Sequence, residues 1–336
     1  MAANVNLLVP LWLSLQLSRI EAAVPIRYHV LLNARAGAAL ARGTTRQELE
    51  RLFEKAGLRA SIDADMDLPM ADRLSRLRES NAEVIVAAGG DGTVTAVASA
   101  LIGTPKALAI LPLGTVNALA RDIGVPIDLT DWIAALAQMQ PRQVDVGEVN
   151  GQIFLHKVVV GVIPALAAGR EQVRGGSPAA KLAFLRFAFR RLLRSRRMAM
   201  EIVHPDGAGR IHRVFAFAVA NNEYDEAPGR LFARSRFDEG RLYIYLLKHL
   251  SVLDLGRLTV EMLLGRWRDD DAVQIDAATQ LIVRTRKKTL KVMLDGEVQS
   301  FLTPLRFRIR PLSLTLLAPV PVAASELAIA DTNSPA

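Results

Sequence analysis

"EVIVAAGGDGTV", residues Glu83 to Val94, decides the fold: an unbroken run of β-formers halts at Gly89-Gly90-Asp91-Gly92-Thr93, and a helical pattern follows at once. Apolar character without alternation suits a strand buried on both faces, as in a parallel sheet. Glycines at a strand-to-helix junction let backbone approach a ligand with no Cβ in the way. The free N–H groups and the dipole at the helix start favour an anion there. That is phosphate chemistry. Asp91 among those donors suits a Mg²⁺–phosphate complex better than phosphate alone. A tight turn without a ligand has the same composition, so this stretch alone leaves both readings open.

The pattern extends outward on both sides. "RYHVLLN" (27–33) reads as a strand and "ARAGAA" (34–39) as a loop. "TTRQELERLFEKAG" reads as a helix, with Thr45 and Glu48 spaced as a capping box and Gly57 as its stop. "RASIDA", "LPMADRLSRLRES", "TVTAVASALIG", "ALAILPLG" and "TVNALARDIG" continue the alternation, which predicts a doubly wound α/β domain to about Pro141. "LPLGTVNALAR" (Leu111–Arg121) repeats the loop design, with Gly114-Thr115 followed by a helix whose first turn presents Asn117. In a parallel sheet both loops emerge on one edge, where α/β ligands bind. No G-x-x-x-x-G-K-[ST] occurs, and no G-x-G-x-x-G follows a strand.

After "PRQVDVGEVNGQIF" short β-runs punctuated by NG, DG and EG predict antiparallel hairpins in a sandwich or barrel. Helical patterns interrupt at Ala179–Arg197 and about Ser251–Arg266. Residues 1–25 read as an N-terminal extension, 26–143 as the α/β domain, 144–318 as the β-domain and 319–336 as a flexible tail. "NLLVPLWLSLQL" (Asn6–Leu17) is too short to span a bilayer and is interrupted by Pro10; a loose extension and an interfacial anchor remain its two readings.

Composition narrows the function. Of 336 residues 51% are hydrophobic and none is cysteine, which excludes disulfides, thiolate metal sites and cysteine nucleophiles. The net charge of +8 favours an anionic partner, but 5% aromatics without zinc-finger or RNA-binding signatures argue against nucleic acid. Lys181–Met200 holds seven basic residues and no acidic one, with Leu182, Leu185, Phe189 and Leu192 at helical spacing. It reads either as an interfacial helix for an anionic membrane or as a helix packed on the β-domain.

GGDGT followed by PLGTVNALAR, an Asn33-to-Gly37 loop after the first strand and a late Asp295-Gly296-Glu297 together resemble the diacylglycerol kinase catalytic-domain family, which includes bacterial soluble lipid kinases and the sphingosine and ceramide kinases. The resemblance spans about Arg27 to Pro319. It implies an α/β nucleotide domain of NAD-kinase-like type followed by a β-sandwich, and an ATP·Mg²⁺-dependent kinase of a diacylglycerol-like or sphingoid lipid in the cytoplasm, peripheral at the inner membrane face. An NAD-kinase-like enzyme with a soluble substrate and a non-catalytic nucleotide- and lipid-binding regulator are the alternatives. Asn33, Gly37, Gly89, Gly90, Asp91, Gly92, Thr93, Gly114, Thr115 and Asn117 take the nucleotide positions. Ala34 and Ala36 depart from the family's proline and serine. Asp295 takes the general-base position with Glu297 beside it, and Asp91 is the other candidate base. "RSRFDEGRLYI" resembles a loop that holds a structural Mg²⁺, which puts Glu239 and the carbonyls of Arg236 and Arg241 at the metal. An ordinary acidic turn is the competing reading. Oligomeric state is not legible.

Overall fold

Strand β1 (Arg27–Leu32) pairs in parallel with β2 (Arg59–Asp63) on one side and β3 (Val84–Gly89) on the other, and β3 pairs in parallel with β4 (Ala107–Pro112). All six residues of β3 and all six of β4 are buried, as continuous apolar strands covered on both faces require. The computed structural model describes residues 26–161, 186, 190, 195–226, 228, 232–249 and 251–320. The Lys181–Met200 pattern, residues 1–25 and most of the tail therefore lie largely or wholly outside the described residues.

The helices of this half are α1 (Gly37–Arg42), α2 (Arg46–Lys55), α3 (Met70–Glu79), α4 (Asp91–Leu101), α5 (Ala118–Asp122) and α6 (Leu129–Leu136). Thr45 caps α2 by accepting from the Glu48 N–H at 3.2 Å, and Gly57 follows its end at φ 68. Two expectations need correction. The stretch after Ala34 is not all loop: α1 forms there because Ala and Leu favour helix, and the Ala38 N–H docks on the Leu113 carbonyl at 2.9 Å. The helix expected over 115–124 starts only at Ala118, because Asn117 adopts φ 50 and stays outside it.

The second half is antiparallel. Strands β5 (Gln140–Val149), β6 (Gln152–Phe154), β8 (Met198–Val203), β9 (Gly209–Val214), β13 (Gln280–Arg284) and the 14-residue β16 (Leu305–Ala318) extend the first sheet. β16 also runs parallel to β4, with Thr315 opposite Ala107. Strands β7 (Lys157–Gly161), β10 (Ala216–Asn221), β11 (Leu242–Leu247), β12 (Val273–Ala278), β14 (Thr289–Leu294) and β15 (Glu297–Leu302) form a second sheet in the order β12-β11-β10-β7-β14-β15. The sheets face each other across a core that includes Phe154, Val158, Phe217, Leu281 and Phe307, with Phe217 and Phe307 edge to face at 5.9 Å. Helix α7 (Val252–Leu264) lies outside this pair and carries a Ser251–Asp254 capping box. The architecture is an α/β unit with a parallel sheet followed by an antiparallel β-sandwich.

Candidate active site

The C-terminal ends of β1, β3 and β4 lie side by side and carry three loops that bond to one another. Buried Arg73 fixes the first by donating to the Leu32 carbonyl at 2.9 Å while pairing with Asp63 at 3.1 Å. The next residue, Asn33, donates through Nδ2 to Thr93 Oγ1 at 2.9 Å, and Gly37 opens α1. The glycines that sequence reasoning reserves for a ligand already have protein neighbours. A Cβ on Gly89 would lie 2.6 Å from the Thr93 side chain, one on Gly90 would lie 3.2 Å from the Gly114 Cα, and one on Gly92 would overlap the Glu297 carboxylate. Close approach is the reason for these glycines, but of loop to loop as much as of backbone to ligand.

Asp91 joins two of these loops. Its carboxylate accepts from the Asn117 N–H at 3.0 Å and the Ala118 N–H at 2.7 Å, so it caps α5 from across the crevice. Burial pushes its pKa above the ordinary carboxylate range, the two backbone donors pull it back, and the charge of Asp295 adds to the rise. Asn117 uses its own amide to close the Gly114 turn, accepting from the Gly114 N–H at 2.9 Å and donating to the Gly114 carbonyl at 3.0 Å. Thr115 stands exposed at the tip.

Asp295 arrives from the other half of the chain. Leu294 pairs with Glu297, so Asp295 and Gly296, at φ 47 and φ 97, form the two-residue turn of the β14–β15 hairpin. This turn presents the Asp295 carboxylate to a nest of three consecutive N–H groups: Leu155 at 2.7 Å, His156 at 2.9 Å and Lys157 at 2.9 Å. Thr95 Oγ1 adds a fourth donor at 3.2 Å. Burial raises the pKa of Asp295, against the pull of these donors. A pocket of about 310 Å³ opens here, lined among others by Gly92, Thr95, Gln152, Asp295, Glu297 and Gln299.

Several of these partners escape sequence reasoning. Thr95 sits one helical turn after Asp91 on α4, which was a readable signal. The 155–157 nest and its buttress were not readable. Fully buried Arg234 pairs with Asp122, at the end of α5, at 2.8 Å and donates to the Leu155 and Asn221 carbonyls at 2.8 and 2.7 Å. His156 Nε2 lies 3.6 Å from the same Asp122 carboxylate. The Lys157 ammonium stacks over Phe232 at 4.2 Å and Tyr224 at 5.5 Å, and burial lowers its pKa to about 8.

The carboxylate at the expected structural metal loop is engaged by protein. Glu239 pairs with Arg236 at 3.2 Å and accepts from the Glu223 N–H at 3.2 Å, while the Arg241 carbonyl accepts from the Asn222 N–H. Glu239 is thus held by a guanidinium and a backbone N–H within the turn. Among the described residues no cluster of three or more His, Asp or Glu side chains is arranged around a metal.

Residues 27–149 match the family model described as diacylglycerol kinase catalytic domain, and residues 157–318 match that described as YegS C-terminal NAD kinase beta sandwich-like domain. The chain is 32% identical over 241 residues to a "Probable lipid kinase YegS-like" protein of Pseudomonas syringae pv. tomato, covering 70% of this chain and 75% of that one. It is 26% identical over 277 residues to a diacylglycerol kinase of Bacillus subtilis, covering 81% and 89%. A crystal structure of a diacylglycerol kinase from Bacillus anthracis superposes with a TM-score of 0.64 at 21% identity, over 87% of this chain and 96% of the other, and so shares the fold.

Proposed function

This chain belongs to the diacylglycerol kinase catalytic-domain family, and on that premise we propose that it transfers the γ-phosphoryl group of ATP to a hydroxyl of a diacylglycerol-like or sphingoid lipid, with Asp295 as general base. It is a kinase of the lipid-kinase family. One observation carries the finer reading: Asp295, 200 residues beyond Thr95, is hydrogen-bonded to the helix that starts in the GGDGT loop, at the wall of the pocket.

Phosphoryl transfer asks for positioning and charge neutralisation more than covalent help. The first-turn N–H groups of α4, the Asn33–Thr93 pair and the Gly114-Thr115 turn would hold the ATP phosphates. Glu297, seated against Gly92, puts a carboxylate at the phosphate loop, and with Asp91 it would hold Mg²⁺, which supplies neutralisation of the phosphate charge when bound. Asp295 would accept the lipid hydroxyl proton, a step worth roughly 10²–10⁴ in rate. Its raised pKa suits a base that must not be too weak.

Access to lipid rests on the sequence of Lys181–Met200, whose seven basic residues support peripheral docking on anionic membrane. No helix among the described residues is long and apolar enough to cross a membrane. Incubation with labelled ATP and a panel of diacylglycerol, sphingoid base, ceramide and NAD tests the reading: label should enter a lipid. Label in NAD alone would overturn it.

A further inference from the structure

The Asp295 carboxylate has about four lone-pair sites, and all four are taken. Oδ1 accepts from the His156 and Lys157 N–H groups, and Oδ2 accepts from the Leu155 N–H and the Thr95 hydroxyl. A general base needs one site open to the proton it removes. The three backbone donors are fixed: Asp295 N–H returns a bond to the Lys157 carbonyl at 3.0 Å, and Arg234 holds the Leu155 carbonyl. Thr95 is different. Its bond is the longest of the four at 3.2 Å, its donor is a rotor, and it lines the pocket from which substrate would come.

Resting on the reading of Asp295 as base, we propose that Thr95 is a positioning residue that occupies the Oδ2 site of Asp295 in the free enzyme and gives it up to the acceptor hydroxyl. In the substrate complex the lipid O–H donates to Oδ2 in place of Thr95. As the lipid oxygen bonds to the γ-phosphorus, the bond from that phosphorus to the ADP oxygen breaks and the proton passes to Oδ2. The resulting carboxylic acid O–H then donates to Thr95 Oγ1, which a hydroxyl accepts as readily as it donates, before the proton leaves to water. Thr95 thus matches both protonation states of the base.

The test is kcat and KM for a dispersed lipid at one pH in Thr95→Val, Thr95→Ser and wild type, with KM for ATP and the melting temperature measured alongside. Valine removes a competitor for Oδ2, so KM for the lipid should fall, by up to about fivefold. It also removes the acceptor of the acid proton, so kcat should fall at the same time. Serine should restore both values, with KM for ATP unchanged throughout. Thr95→Ala should behave as valine does and serves if valine packs badly. An unmoved lipid KM in both the valine and alanine variants, or a loss that serine does not restore, would overturn the proposal. Undiminished turnover in Asp295→Asn would instead remove the base assignment itself.

Discussion

Gly90 and Gly114 face each other with no room for a side chain: a Cβ on Gly114 would lie 2.5 Å from the Gly90 Cα and 2.6 Å from Asn117 Oδ1. Backbone on one side and a turn-closing amide on the other cannot swing away. Gly114→Ala should therefore cost about 1–3 kcal/mol by overpacking, lowering the melting temperature by roughly 2–5 °C. It should also weaken ATP binding by more than about tenfold, because the same contact sets the spacing of the two loops proposed to hold the phosphates. Gly103→Ala is the control. Gly103 has φ 77 but nothing within 4 Å of an added Cβ, so only conformational strain applies and ATP binding should persist. Calorimetric titration with ATP distinguishes them.

Asp91 and Asp295 both have pKa values raised above the ordinary carboxylate value, in each case chiefly by burial. The folded protein then binds protons that the unfolded chain, with carboxyls near about 3.9, has already released. Stability from these two groups is present at low pH and declines as pH rises through the raised values. Urea unfolding from pH 4 upward should show that decline, and Asp91→Asn and Asp295→Asn should each flatten it. A slope identical in wild type and both variants would contradict the burial of these charges.

Arg234 and Asp122 are 0% and 7% exposed, and their ion pair joins the helix after the Gly114-Thr115 turn to the nest under Asp295. Removing one partner leaves the other charged and buried, so Arg234→Met should destabilise by roughly 3–5 kcal/mol. The double variant Arg234→Met with Asp122→Leu should recover much of that loss. Denaturant midpoints of the three variants provide the comparison; an equally unstable double variant would mean that the bonds to the Leu155 and Asn221 carbonyls matter more than the charge pair.

Lys157 has its pKa lowered to about 8 by burial, against about 10.4 in an unfolded chain. Below pH 8 both states are protonated. Between about 8 and 10.4 the unfolded state binds the extra proton, so stability should rise with pH across that window. Lys157→Met should abolish the rise, which chemical denaturation at pH 7, 8, 9 and 10 would detect.

The parallel core was legible because β3 and β4 are apolar at every position and stop at glycine, a pattern that local physics produces on its own. The Asp295-Gly296 turn was legible for the same reason. What stayed hidden depends on partners far apart in sequence. Arg234 is one basic residue among many in its stretch, and only the fold places it on Asp122, 112 residues earlier. His156 and Lys157 contribute backbone N–H groups to Asp295, which no side-chain pattern could announce. Glu239 stands where the family resemblance implies a metal ligand, and only the fold shows that Arg236, three residues before it, pairs with its carboxylate. Asn117 was placed inside a helix by its neighbours' propensity, but its amide competes with the backbone and closes the preceding turn instead.

Asp295→Asn, assayed in parallel for ATP binding by calorimetry and for transfer of labelled phosphate to lipid, reaches the central claim most directly. Asparagine keeps the shape of the hairpin turn but cannot take a proton. ATP affinity should stay within about threefold of wild type, while turnover falls by at least about 100-fold. Full turnover with ATP still bound would contradict the account and leave Asp91 to be tested as the base.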